Sequence, residues 1–363
     1  MVLKVVVTCV VVLGVVVTPE STIRESQPKE WPCPGSTEIS PCICTADPHF
    51  DMSLDCSLVK SNDELARVFS SVFPFGEFVE LTIQQNPSDP EYNLNALEPN
   101  IFIGLSFERI IITGTKLTAI EENTFSDSYK FLSYLNLSDN KITYFPFQTL
   151  LMYTELQTLI LDDNQIDVLP SIQSDSLEIL SISGNEEIQL TDFLGTPALR
   201  EIYLARNKLE ELPFKWVWDL LHLTVVDLEG NEIAFLDEYY IASQSNALAT
   251  INLDYNKITG ISYDAFQGLL PDAVVSMRNN TVVELDEDSW SHLFDQLVPT
   301  GTLDLAGNPL RCGCDMAWIL FSPQQTDLSI FTNTTTCKSG GQVIHLDVQL
   351  FCDLCLPNNC SEL

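Results

Sequence analysis

The segment LSYLNLSDNKI, residues 132–142, constrains the fold of the whole chain. Leu132, Leu135, Leu137, Asn140 and Ile142 set out the pattern L-x-x-L-x-L-x-x-N-x-L. The pattern returns at 156–166 (LQTLILDDNQI), 199–209 (LREIYLARNKL), 223–233 (LTVVDLEGNEI) and 248–258 (LATINLDYNKI). One such unit cannot bury its own apolar side, so the copies must stack and share a continuous core. A length of 363 residues would ordinarily suggest two domains. Stacking removes that inference, because a solenoid has no single core that must stop growing.

Ten repeat-like units are legible, with ninth positions at Asn86, Thr115, Asn140, Asn164, Asn185, Asn207, Asn231, Asn256, Asn280 and Asn308. The x-L-x-L part of each unit reads as a short strand, with Leu135 and Leu137 inward and Asn136 outward. The ninth-position Asn turns inward, where its amide can satisfy backbone groups at the bend. Thr115 offers fewer such bonds, so its turn is expected to be looser. The two longest steps follow Asn86 and Asn280 and are expected to bulge from the coil as loops. On the returning side, Phe125 and Phe266 are expected in a stacked phenylalanine column. The 45% apolar content is ample for such a core.

The first residues read as a secretory signal. Lys4 supplies a positive charge and residues 5–17 are nearly all apolar, a run too short to span a bilayer comfortably. The expected organisation is a signal at 1–23, a lead and N-terminal cysteine cap at 24–57, repeats over 58–308, and a C-terminal cysteine cap and tail at 309–363. No second long apolar stretch follows, so the expected location is extracellular with no membrane span. Cys9 lies in the signal, which leaves ten cysteines, an even number that suits disulfides in an oxidising compartment. They fall in two clusters, at 33–56 and 312–360, with none between. Zinc and C-x-x-C redox chemistry are the weaker readings of these clusters. The balance of 51 acidic against 17 basic residues, net −34, argues against nucleic acid and anionic lipid as partners and suits a basic partner or calcium.

These repeats, framed by CPGSTEISPCICTADPHFDMSLDC at 33–56 and NPLRCGCDMAWILF at 308–321, resemble secreted extracellular leucine-rich repeat proteins. The resemblance implies an α/β-type solenoid: a leucine-rich repeat horseshoe with parallel strands on its concave face and disulfide-bonded caps. It implies the pairings Cys33–Cys44, Cys42–Cys56, Cys312–Cys337 and Cys314–Cys352. Cys355 and Cys360 are then left for each other, although the pairing among Cys352, Cys355 and Cys360 stays open. Trp318 and Phe321 would lie on the last repeat. The lead WPCPGSTEISPCICT, the acidic balance and the tail CDLCLPNNC resemble, more narrowly, a crustacean-type group. That group is typified by the non-catalytic leucine-rich repeat subunit of Oplophorus luciferase (luciferin 2-monooxygenase). This resemblance implies association with a small catalytic luciferase-type subunit and supplies no site residues.

No active site is legible. His49, His222, His292 and His345 lie far apart, and H-E-x-x-H, G-x-S-x-G and Gly-rich phosphate patterns are missing. The chain is expected to be no enzyme and to carry no cofactor or metal. A protein ligand is expected on the concave sheet face instead. Early candidates there are Tyr134, Asp139 and Asp162. In the middle stand Arg200, Tyr203, Arg206, Asp227 and Glu229, and towards the end Asp254, Tyr255 and Arg278. Asp162 with Asp163, and Asp227 with Glu229, have no calcium-loop spacing. Sequons stand at Asn136, Asn279, Asn333 and Asn359. Two function classes follow. One is a secreted non-catalytic binding or stabilising subunit of the luciferase-associated type. The other is a free extracellular recognition protein, of immunity or development, for a microbial or cell-surface ligand.

Overall fold

The computed structural model describes residues 32–185, 188–321 and 328–355. The expected signal at 1–23, most of the lead, Cys360 and the Asn359 sequon lie outside the described residues.

Alternation in the repeats produces one twelve-stranded sheet. It opens with an antiparallel pair, Ile43–Ala46 against Met52–Asp55. All later pairings in it are parallel, starting with Glu77–Gln84, Ser106–Thr113, Tyr134–Asn136 and Thr158–Ile160. Ile179–Ser181, Glu201–Tyr203, Val225–Asp227, Leu248–Asn252, Leu269–Ser276 and Thr302–Asp304 complete it. The register puts Leu81, Ile110, Leu135, Leu159, Leu180 and Ile202 in one inward column, continued by Val226, Ile251, Val275 and Leu303. All are fully buried. No helix among the described residues is long and apolar enough to cross a membrane.

The bends are held by a ladder of buried asparagines. Asn164 donates Nδ2 to the carbonyls of Leu161 and of Leu137 in the preceding repeat, at 3.0 and 2.9 Å. Its Oδ1 accepts from the Ile142 N–H. Asn256 and Asn280 repeat the arrangement. One side chain thus satisfies donors and acceptors of two turns that water cannot reach. The first turn departs from expectation: Asn86 is exposed and accepts from the Ser88 N–H. Gln85 takes the inward role, with Nε2 2.6 Å from the Val59 carbonyl. The neighbour on that side is the cap rather than a repeat, and the longer Gln85 side chain reaches its backbone. Thr115 is not loose either. Its N–H and its hydroxyl both donate to Asn140 Oδ1.

Only the first of the two long steps is a loop: residues 85–105 hold no helix or strand, and Asn86, Pro87, Ser88, Pro90 and Glu91 are exposed. After Asn86 the chain returns along the core, burying Leu94, Leu97, Ile101 and Phe102. After Asn280 it forms the helix Glu287–Leu297, capped by Asp286 accepting from the Ser289 N–H. Trp290, Leu293, Phe294 and Leu297 recur at helical spacing and are all buried. The expected phenylalanine column is also interrupted. Phe69, Phe102, Phe107 and Phe125 form a cluster near the first repeats. Further on, Phe193 meets Trp216.

Cystine bridges close both ends. The N-terminal cap holds Cys33–Cys44 and Cys42–Cys56, and the C-terminal cap holds Cys312–Cys337. The expected Cys314–Cys352 and Cys355–Cys360 pairs are replaced, because Cys314 is bonded to Cys355. Cys352 and Cys355 lie three residues apart on the helix Val348–Cys355 and so share one side of it. Cys352 is buried against the core and disulfide-bonded in its own right, and the more open Cys355 meets Cys314. Trp318 lies on the last repeat, donating Nε1–H to the Leu285 carbonyl and packing edge-on to Phe294.

Candidate binding face

The strand alternation that buries the inward column turns its neighbours outward. One outward column runs Glu80, Arg109, Tyr134, Thr158, Ile179, Glu201. Another runs Ile111, Asn136, Ile160, Ser181, Tyr203, Asp227, Asn252, Ser276, Asp304. Glu80, Arg109, Glu178, Glu201 and the half-buried isoleucines were missed by sequence reasoning. They stand one or two residues from the inward Leu in each unit, and that offset alone would have found them.

The early part of the face is internally satisfied. Arg109 pairs with Glu80 at 3.2 Å and lies 4.0 Å over the Tyr134 ring. Asn136 sits between Ile111 and Ile160, so a glycan on it would cover apolar surface. Asp162 works as a staple between repeats: its Oδ1 accepts from Ser181 Oγ at 2.6 Å and the Ser183 N–H at 2.7 Å. Burial pushes its carboxyl above the usual range despite those bonds. Asp254 does the same for Ser276 Oγ and the Arg278 N–H.

The arginines of the face are used up. Arg200 pairs with Glu178, Arg206 with Asp163 and Arg278 with Asp304. Carboxylates remain. Asp227 and Glu229 lie half-buried side by side, and Asn252 Nδ2 donates to Glu229. Burial raises the Asp227 pKa, and the charges of Glu229 and Asp254 add to the rise. Tyr203 donates its hydroxyl to Glu201 at 2.7 Å. Burial, then that bond, pushes its own pKa up to about 12. Site candidates on the rim have a different constraint. Asp139, Arg206 and Tyr255 have left-handed backbones, φ 57°, 57° and 55°, where other repeats use Gly184, Gly230 and Gly307. Left-handed geometry at a side-chain-bearing residue costs about 1 kcal/mol, and these three hold it where a glycine would fit freely.

Of the other sequons, Asn279 and Asn333 are exposed. Among the described residues no group of three or more His, Cys, Asp or Glu is placed to hold a metal ion.

Comparison with known proteins agrees with the fold. A leucine rich repeat family model matches residues 105–166. The chain is 27% identical, over 89% of its length and 88% of the relative's, to the Oplophorus-luciferin 2-monooxygenase non-catalytic subunit of Oplophorus gracilirostris. It is 31% identical to mouse podocan over 55% of this chain and 32% of that one. Among solved structures, a complex of TLR13 with ssRNA13 superposes with a TM-score of 0.55 at 19% identity, covering 82% of this chain and 46% of that chain.

Proposed function

From a leucine-rich repeat protein with a cystine cap at each end, we propose a secreted, non-catalytic binding subunit that holds a basic protein partner on its concave face. The observation that carries this is the charge imbalance of the face. Its arginines 109, 200, 206 and 278 are already ion-paired, while Asp227, Glu229 and Glu201 lie half-buried and make no ion pair among the described residues. A cationic group arriving there meets partly desolvated carboxylates, where attraction is stronger than in bulk water. The similarity to a non-catalytic luciferase subunit supports a small catalytic chain of luciferase type as that partner. The paired cystine caps support an extracellular location.

Native purification from the secreted fraction tests the reading. Copurification with one small protein at fixed stoichiometry is expected, with capture falling about tenfold for Asp227→Asn/Glu229→Gln. Recovery only as a lone monomer that binds microbial cells would replace it with free extracellular recognition. Light or luciferin turnover by the isolated chain would overturn the non-catalytic part.

A further inference from the structure

Where the first strands begin, at the N-terminal end of the solenoid, the surface opens into a cleft of about 370 Å³. Met52, Phe78 and Ser106 form its buried floor. Phe50, Phe75 and Phe131 wall it and stay 62%, 41% and 46% exposed. Phe50 is held there deliberately by its turn. Asp47 Oδ1 accepts from the His49 and Asp51 N–H groups, and Phe50 between them has φ 71°. A bulky aromatic with left-handed backbone, projected into solvent by a pinned turn, is costly for folding alone.

Asp51, Glu77 and Glu108 rim the same cleft. All three are exposed, and among the described residues their carboxylates make no ion pair or hydrogen bond. Elsewhere on the strand face Glu80, Glu178 and Asp163 are paired with arginine, and Asp162 and Asp254 are tied to neighbouring repeats. Apolar walls beneath unneutralised carboxylates are complementary to an apolar group flanked by cations.

We propose that this cleft is a second docking site, which takes a basic segment of a partner protein with an aromatic or aliphatic side chain between two cationic residues. The side chain enters between Phe50 and Phe131. The flanking ammonium or guanidinium groups meet Asp51, Glu77 and Glu108. The site is separate from Asp227 and Glu229, and it stands whether or not those residues hold a partner.

The test uses the full secreted chain and fluorescein-labelled acetyl-Lys-Phe-Lys-amide, read by anisotropy at low salt. Binding is expected to weaken about tenfold for Glu77→Gln/Glu108→Gln, about tenfold for Phe131→Ala, and progressively as salt rises. Asp227→Asn/Glu229→Gln is expected to bind the probe as the wild type does. The exposed Glu77 and Glu108 leave folding unaffected, so the glutamine pair decides the matter even if Phe131→Ala lowers the yield. The proposal falls if acetyl-Lys-Ala-Lys-amide binds equally well, if the glutamine pair binds normally, or if only the Asp227/Glu229 variant loses the probe.

Discussion

The inward and outward sides of the same strands obey opposite rules. Inward, the repeats share one solution: an aliphatic side chain in the column and, from Asn140 onward, an asparagine closing the bend. Outward, neighbouring repeats differ, with Arg109 stacked on Tyr134 near the start and Asp227 beside Glu229 near the middle. The inner side has to satisfy its own neighbours, which are copies of itself, so it is uniform. The outer side is free of that demand and carries unneutralised charge that folding does not need.

Four substitutions probe this contrast. Leu161 is fully buried. Leu161→Asp places an uncompensated charge in the shared core at a cost of several kcal/mol, so no folded product is expected in the secreted fraction. Normal yield and melting would show the inward register to be wrong. Asn256→Ala strips the Leu228 and Leu253 carbonyls and the Ile233 N–H of their partner. It should cost about 2–3 kcal/mol in denaturant unfolding. Gln85→Ala, at the same place in the first turn, should cost about 1 kcal/mol, because Gln85 Oε1 has no partner to lose. Equal losses for the two variants would erase the distinction between the ladder and its first rung.

The smallest effect should have the opposite sign. The folded pKa of Asp227 is raised, chiefly by burial. Its contribution to stability is therefore fully present below the unfolded carboxyl pKa and is lost as pH rises through the folded value. At neutral pH the charged form strains the face. Asp227→Asn should then raise the melting temperature by about 1–2 °C at pH 7, with the gain vanishing in acid. A drop at pH 7 would mean that the carboxylate serves the fold and not a partner.

Much of the architecture is readable because the repeats are local. The spacing of Leu132, Leu135, Leu137 and Asn140 names the strand, its inward side and its turn without reference to anything distant. Sequence reading failed where a residue's neighbour is not another repeat. Asn86 has the right spacing, yet the segment beside it is the cap, and Gln85 fits that backbone better. The step after Asn280 reads as a loop because it lacks the repeat pattern. Trp290, Leu293 and Phe294 lie at helical spacing instead and fill the core.

On the candidate face, residue type and spacing identified Tyr203, Asp227 and Glu229 as outward. They did not tell that Asp162 and Asp254 staple adjacent turns, nor that Arg206 is spent on Asp163. Each of those partners lies one or two repeats away, and only stacking brings them together. The sequence by itself determined the solenoid and its inward register, since both follow from short-range periodicity, and its two cysteine clusters implied the caps through their resemblance to those of extracellular leucine-rich repeat proteins. The tertiary structure alone decided that Cys314 takes Cys355, which charges are neutralised, and that three phenylalanines and three carboxylates meet at one cleft. Those outcomes depend on distances between side chains far apart in the chain, which periodicity does not encode.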